Sequence, residues 1–275
     1  ASTSFLLTVS EGGGSSGFAG TGFDGHIANG RVFFDANRNS LQDASEPGTQ
    51  TDGQGHFNLA VPIAAFDQNQ NGKLDASEGR LVLSGGTDIA TGLPLAGFMT
   101  APLGATVVTP LTTVLEELQF QNPALSGTQA EQLLLSALGV PSAVSSSVNL
   151  LRYDPFDAAL IDDPKAAEVQ NAAAKVHDTL VQTTALLDGA STQPTAQIGA
   201  SVMRTLAAQI LAAGQLDLSA SSEVNALITQ SASALNVTLP AETIDGAAAV
   251  LAEVNQAKGQ ILSAGLTPQN ALAEI

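Results

Sequence analysis

The sequence predicts a multidomain α+β chain, in which a β-rich N-terminal part precedes a bundle of helices. Three observations carry this reading. Up to residue 108, short apolar runs rich in β-branched and aromatic residues alternate with Gly, Asn and Asp. After Thr109 the apolar spacing becomes helical, and Thr or Asp placed directly before Pro marks successive starts. Between strand-like runs, nearly the same twelve-residue segment is written twice. The expected division is a flexible lead-in over 1–21, a β domain over 22–108 and an α-helical bundle over 109–275.

The lead-in is expected because "EGGGSSGFAGTGFDG", from Glu11 to Gly25, is dominated by Gly and Ser. The strands follow as "GRVFF", "GHFNLAV", "RLVLSGG" and "LAGFMT", each of strand length and composition. "TDGQGHF" lies before the second of these and reads as a tight turn, where glycine supplies positive φ.

Helix starts are expected at Thr109-Pro110, Asp154-Pro155, Asp163-Pro164 and Thr267-Pro268, each a capping side chain before a Pro at the first helical position. Thr128 with Glu131 fits a capping box. Gly139, Gly189, Gly214 and Gly265 stand where helices should stop. Between these marks, Leu111, Val114, Leu115 and Leu118 share one face, as do Val169, Ala173, Val176, Leu180 and Leu187. Ile198, Val202, Leu206 and Ile210 make a third face, and Leu251, Val254, Ile261 and Leu262 a fourth. A bundle of about five to seven helices follows from this spacing.

The repeated segment is "DANRNSLQDASE" from Asp35 and "DQNQNGKLDASE" from Asp67. Counted from the first Asp, positions 1, 3, 5, 7, 9 and 12 are Asp35, Asn37, Asn39, Leu41, Asp43 and Glu46. In the second copy they are Asp67, Asn69, Asn71, Lys73, Asp75 and Glu78. This is the ligand spacing of an EF-hand-type calcium loop. Calcium takes six to eight hard oxygens, and alternate side chains of a curled loop converge on one point. Position 7 offers its backbone carbonyl, and the Glu closes the sphere with two oxygens. With Asn at positions 3 and 5, each loop carries three carboxylates, which points to a modest affinity of ~10⁻⁵ to 10⁻³ M. The copies differ at position 6, where the chain must turn sharply: Gly72 suits positive φ, whereas Ser40 is strained there, so the first site is expected to bind more weakly. Pro47-Gly48 and Gly79 follow the loops, so no exit helix is expected.

"GRVFFDANRNSLQDASEPGTQTDGQGHFNLAVP" resembles the Cna-B/SdrD-B-type modules of bacterial surface proteins. There a strand runs into D-x-N-x-(N/D)-G-x-x-D-x-x-E, then Pro-Gly, then a T-D-x-x-G-x-F hairpin. The resemblance covers about residues 22 to 62 and implies an extracellular, prealbumin-like β-sandwich that uses calcium for rigidity. The strand usually found between E-P-G and the T-D turn is shortened here to "TQ". Some relatives carry Lys–Asn isopeptide crosslinks, but the only Lys before residue 109 is Lys73, inside the second loop, so none is expected. "GGTDIATGLPLAGFMTAPLGATVVTPLTTVLEEL" is similar to segments of large secreted calcium-dependent bacterial proteins of the RTX and adhesin type.

Composition narrows the partners. A net charge of −17, with nine Lys+Arg against 26 Asp+Glu, disfavours nucleic acid and anionic membrane surfaces and favours cations. The absence of Cys excludes disulfides and thiolate chemistry. No run approaches about 18 apolar residues, so no transmembrane segment is expected. The first residues show no basic stretch before an apolar core, so a secretion signal is expected to be absent, removed or outside this sequence.

Other motifs are set aside. Gly13 to Gly17 matches G-x-S-x-G and Gly20 to Gly25 matches G-x-G-x-x-G, but both lack the strand–helix context and read as loop. His26 and His56 read as ordinary strand residues, with a meeting across strands as the alternative; His177 is placed at the bundle surface. Asp162-Asp163 reads as a cap and Glu116-Glu117 as a solvated face. With no nucleophile paired to a base, no enzyme is expected. The expected function is a calcium-stabilised structural or adhesion module, secreted or at the bacterial cell surface, meeting surface proteins, saccharides or neighbouring domains. The alternative is a binding protein whose helical bundle carries the groove and whose β domain is a stalk.

Overall fold

The structure, a computed structural model, describes residues 14–262 together with 264, 266 and 270. The expected helix signals at Gly265 and Thr267-Pro268, Gly13 of the G-x-S-x-G match, and the side chain of Leu262 lie outside the described residues.

The N-terminal part runs β1 (Ser15–Gly22), β2 (Ile27–Ala28), β3 (Arg31–Asp35), β4 (Gly48–Gln50), β5 (His56–Pro62) and the single turn α1 (Ile63–Phe66). It continues through β6 (Arg80–Ser84), β7 (Thr87–Asp88), β8 (Phe98–Ala101) and β9 (Val107–Val108). Helices follow as α2 (Pro110–Gln121), α3 (Gly127–Ala137), α4 (Ser142–Ser145), α5 (Pro155–Leu160) and α6 (Lys165–Asp188). The last are α7 (Thr195–Ala213), α8 (Ser221–Ala234) and α9 (Ala241–Leu262).

Three sheets form, ordered β5-β1-β9, β2-β7 and β4-β3-β6-β8. Strand β1 corrects the expectation of a flexible lead-in to residue 21: it is the middle strand of its sheet, antiparallel to β5 from Ser15↔Pro62 to Thr21↔His56 and parallel to β9. Two of its glycines, Gly20 and Gly22, serve close approach. A Cβ on Gly20 would lie 2.4 Å from the Thr106 carbonyl oxygen, to which the Thr21 N–H donates at 3.0 Å. Side-chain volume, not stiffness, is what that strand cannot carry.

Alternation along the strands assigns the two faces of the four-stranded sheet. Val32, Phe34, Leu81, Leu83, Met99 and Ala101 form one apolar cluster with Phe57, Leu59, Val61 and Val108 from the other sheet. The alternate set, Phe33, Val82 and Thr100, is buried toward the helices. There the Thr100 carbonyl accepts from the Thr112 and Thr113 hydroxyls at 2.8 and 3.3 Å, and the Thr100 N–H donates to Thr113 Oγ1 at 2.9 Å. Helix α2 is thus bonded to the sheet it follows.

Thr109 caps α2 in a capping box with Thr112, and Asp154 caps α5 through the N–H groups of Phe156 and Asp157. The expected Thr128/Glu131 box is corrected to Ser126/Gln129, because α3 starts at Gly127; Glu131 is buried one turn inside. The first three helical faces meet in the core, Leu180 only partly buried. On α9 the expected face is corrected. Val254 is 41% exposed, and the buried line runs through Ala248, Leu251, Ala252 and Asn255, whose amide donates to Thr179 Oγ1 and the Leu218 carbonyl. Among the described residues no helix is long and apolar enough to cross a membrane.

Candidate metal centre

Both twelve-residue segments end just before a strand of the four-stranded sheet. The first leaves β3 at Asp35 and ends at Glu46, before β4; the second follows α1 and ends at Glu78, before β6. Their backbones curl alike, with positive φ at position 4 (Arg38 and Gln70, 59° each) and position 6 (Ser40, 63°; Gly72, 84°).

The hydrogen bonds repeat as well, except that one Glu oxygen accepts from position 2 in the first loop and from position 3 in the second. Asp35 Oδ1 accepts from the Asn39 N–H and Oδ2 from the Ser40 N–H, both at 3.1 Å. Asp67 takes the Asn71 and Gly72 N–H groups at 3.1 and 2.7 Å. Asn37 and Asn69 each accept the position-5 N–H at 3.0 Å. The position-7 N–H of Leu41 donates to Asn39 Oδ1 at 2.7 Å, and that of Lys73 to Asn71 Oδ1 at 3.1 Å. Asp43 Oδ2 collects the side-chain amides of Asn37 and Asn39 at 2.6 and 3.2 Å; Asp75 Oδ2 collects those of Asn69, at 3.1 Å, and Asn71. Glu46 spans the mouth of its loop between the Ala36 and Asp43 N–H groups (2.7 and 3.0 Å), and Glu78 does so between Asn69 and Asp75 (3.1 and 2.8 Å). The three carboxylates of either loop are not all drawn within 4.8 Å of one another. Hydrogen bonds from Asn69, then Asn71 and Lys73, hold the Asp75 carboxyl below its ordinary range.

A buried ionic joint, which sequence reasoning missed, ties the loops to α2. Arg80, paired across the sheet with Asp35, is 2% exposed, against 0% for Asp35 and 3% for Glu116. Its Nε donates to Asp35 Oδ2 at 2.9 Å and its Nη1 to Glu116 Oε2 at 3.1 Å; its Nη2 donates to Ser40 Oγ (2.9 Å) and the Arg38 carbonyl (3.2 Å). Burial opposes the Arg80 charge, but Glu116 and Asp35 outweigh it, and the guanidinium pKa is raised. Arg38 donates to Glu116 Oε1 and, at 2.6 Å, to the Ala76 carbonyl of the second loop, while its guanidinium covers the Phe120 ring at 4.0 Å. Ser40 therefore has a partner that glycine would not provide. The available signal was scarcity: three of the nine basic residues, Arg38, Lys73 and Arg80, fall in the loops or two residues beyond one.

Glu116-Glu117, expected as a solvated face, is corrected. Both are buried, and Glu117 accepts from Gln121 at 3.0 Å with Arg204 3.7 Å away. Burial pushes the Glu117 carboxyl up. His177, expected at the bundle surface, is corrected too: it is 16% exposed, with Nε2 3.2 Å from Asp24 Oδ2. Burial lowers the His177 pKa and, helped by Asp88 and Asp178, raises that of Asp24 to about 7. His26 stands in a turn rather than a strand and bonds to Asp154, while exposed His56 on β5 lies 3.5 Å from Asp52. The two histidines take different partners.

A cavity of about 480 Å³ lies between the helix-facing side of the four-stranded sheet and helices α6 and α7. Phe33, Phe98, Leu180, Val181 and Met203 line it, with Arg31 and Asp188 as its charged members beside His177. No protein-family model, curated protein or solved structure matches the chain.

Proposed function

We propose that this chain is a calcium-stabilised structural module of a secreted or surface-associated bacterial protein, holding or presenting neighbouring adhesive parts. In this reading the N-terminal half is β-sandwich-like, and the loops 35–46 and 67–78 are EF-hand-type sites set between strands. The observation that carries it is the likeness of the two loops in backbone curl and in the convergence of their Asn and Asp side chains. The donor set fits a hard cation: each loop offers Asp, Asn, Asn, Asp and Glu oxygens with the Leu41 or Lys73 carbonyl. The buried Asp35, Glu46 and Glu78 carboxylates would gain most from a divalent charge. Binding to the folded state alone adds RT ln(1 + [L]/Kd), about 2.7 kcal/mol at a hundredfold excess over Kd.

The test is a thermal melt in EDTA, in millimolar calcium and in millimolar magnesium, on the wild type and on Asp67→Ala/Glu78→Ala. A calcium-specific rise in Tm that the variant reduces supports the proposal. Equal melting in EDTA and calcium would sink it.

The cavity supports a second reading, in which the chain binds a small apolar ligand. The groove would then lie between sheet and helices, not inside the bundle. A co-purifying small molecule in native mass spectrometry, lost from Met203→Trp, would favour it.

A further inference from the structure

The turn between β1 and β2 reaches across to the helical half. His26 Nε2 lies 2.9 Å from Asp154 Oδ2, a contact between residues 128 apart in sequence. With the Asp157 carboxylate, the three ligand atoms all lie within 4.8 Å of one another. Asp154 and Asp157 share the first turn of α5, so their proximity follows from helix geometry. Asp154 Oδ1 is occupied by the Phe156 and Asp157 N–H groups at 2.9 and 3.2 Å, which leaves Oδ2 facing the imidazole. The arrival of His26 does not follow from helix geometry. Its backbone takes φ 50°, a region that residues with a Cβ rarely occupy, and Phe23 and Phe156 wall its ring at centroid distances of 6.1 and 5.6 Å.

Charge adds an independent pointer. Neither Asp154 nor Asp157 pairs with a Lys or Arg among the described residues, and the nearby Asp88 is a further acid. One imidazole nitrogen and two carboxylate oxygens, in a patch short of positive charge, form a donor set for a borderline divalent cation. Calcium is poorly served by imidazole, whereas zinc takes exactly such nitrogen–oxygen mixtures at bonds of about 2.0–2.2 Å. Tetrahedral bonds of that length set ligand atoms about 3.3–3.5 Å apart, so the hydrogen-bonded His26 and Asp154 atoms, at 2.9 Å, would part slightly and the exposed Asp157 side chain would swing in from within 4.8 Å.

We propose that His26, Asp154 and Asp157 bind a zinc ion, with water completing a four-coordinate site, and that the ion clamps the β1–β2 turn to α5. This site is separate from the twelve-residue loops and does not depend on them. The alternative, a plain His26–Asp154 hydrogen-bonded latch, needs no Asp157.

The test is zinc titration against a chromophoric chelator at pH 7.5, with millimolar calcium present so that the loops are not the acceptor. Cobalt is substituted in parallel, and its visible bands report four-coordination. The wild type is expected to bind one equivalent, with His26→Gln and Asp157→Asn each weakening binding at least tenfold. Asp157→Asn is exposed and keeps the His26–Asp154 bond, so its zinc-free melt should match the wild type and separate clamp from latch. Absence of a stoichiometric site in the wild type, or zinc binding indifferent to Asp157→Asn, overturns the proposal. Zinc binding abolished by calcium or by Asp67→Ala/Glu78→Ala also overturns it, by placing the ion in the loops.

Discussion

Arg80→Met is the substitution that most directly interrogates the joint between the loops and α2. It deletes four contacts at once, to Asp35, Glu116, Ser40 and the Arg38 carbonyl. Met fills much of the vacated volume, so the loss is mainly electrostatic: two buried carboxylates lose a shared cation. Breaking one buried ion pair costs about 3–5 kcal/mol. Glu116 keeps Arg38, and Asp35 keeps the Asn39 and Ser40 N–H groups, which places the cost near the lower end, about 3 kcal/mol. At about 2–4 °C per kcal/mol for a chain of this size, Tm should fall by roughly 6–12 °C in EDTA. Calcium in the first loop would restore a cation to Asp35, so the fall should shrink to about half in millimolar calcium and stay unchanged in magnesium. Calorimetry on wild type and variant in the three buffers reads both quantities. A fall under about 2 °C in EDTA would refute the electrostatic argument; equal falls in EDTA and calcium would separate the first loop from calcium.

Three further outcomes are expected. Gly20→Ala puts a methyl 2.4 Å from the Thr106 carbonyl oxygen and should destabilise by about 1–3 kcal/mol in urea titration, whereas Gly17→Ala, with nothing within 4 Å, should be nearly neutral. Thr109→Ala removes the α2 cap and should lower stability by about 0.5–2 kcal/mol, with the denaturant slope unchanged. Glu117→Gln tests the sign of a buried acid. With its folded pKa raised above the unfolded 4.5, the folded state keeps a proton that the unfolded chain has released, so wild-type stability falls as pH rises from 4.5 through the folded pKa. The variant should therefore gain on the wild type across that window in pH-resolved melts, and a constant difference would contradict the assignment.

The strands Arg31–Asp35, His56–Pro62 and Arg80–Ser84 were legible because their apolar content is local. Thr109 and Asp154 were legible as caps because a cap needs only its own first turn. Residues whose role is set by a distant partner were not. Ser15–Gly22 reads as linker because Gly20 and Gly22 answer to Thr106 and Leu83, far on in the sequence. Glu116 and Glu117 read as solvent-facing because Arg38, Arg80 and Arg204 arrive from other elements. Ser126/Gln129 and Thr128/Glu131 are equally good boxes on paper; the Leu150 and Leu151 N–H groups hold the Glu131 carboxylate in the second frame, and the helix takes the first. The loop residues were legible as a pattern, and Arg80 was not, since no spacing links it to Asp35.

That difference bears on what the loops can do. Asp35 ends a central strand, begins a loop and accepts from the Arg80 guanidinium, so its position cannot change without moving all three. Arg38, at position 4 of the first loop, reaches both the second loop at Ala76 and helix α2 at Glu116. Charge added at either loop is therefore felt at a buried carboxylate on the helical side, through contacts of hydrogen-bond length instead of through solvent. A surface loop of acids would change only its own fraying when neutralised. These loops are wired to an interior ion pair, so neutralising them must alter how firmly sheet and helices are joined, and the loop variant and Arg80→Met should couple in a double-mutant cycle by more than the few tenths of a kcal/mol typical of independent sites.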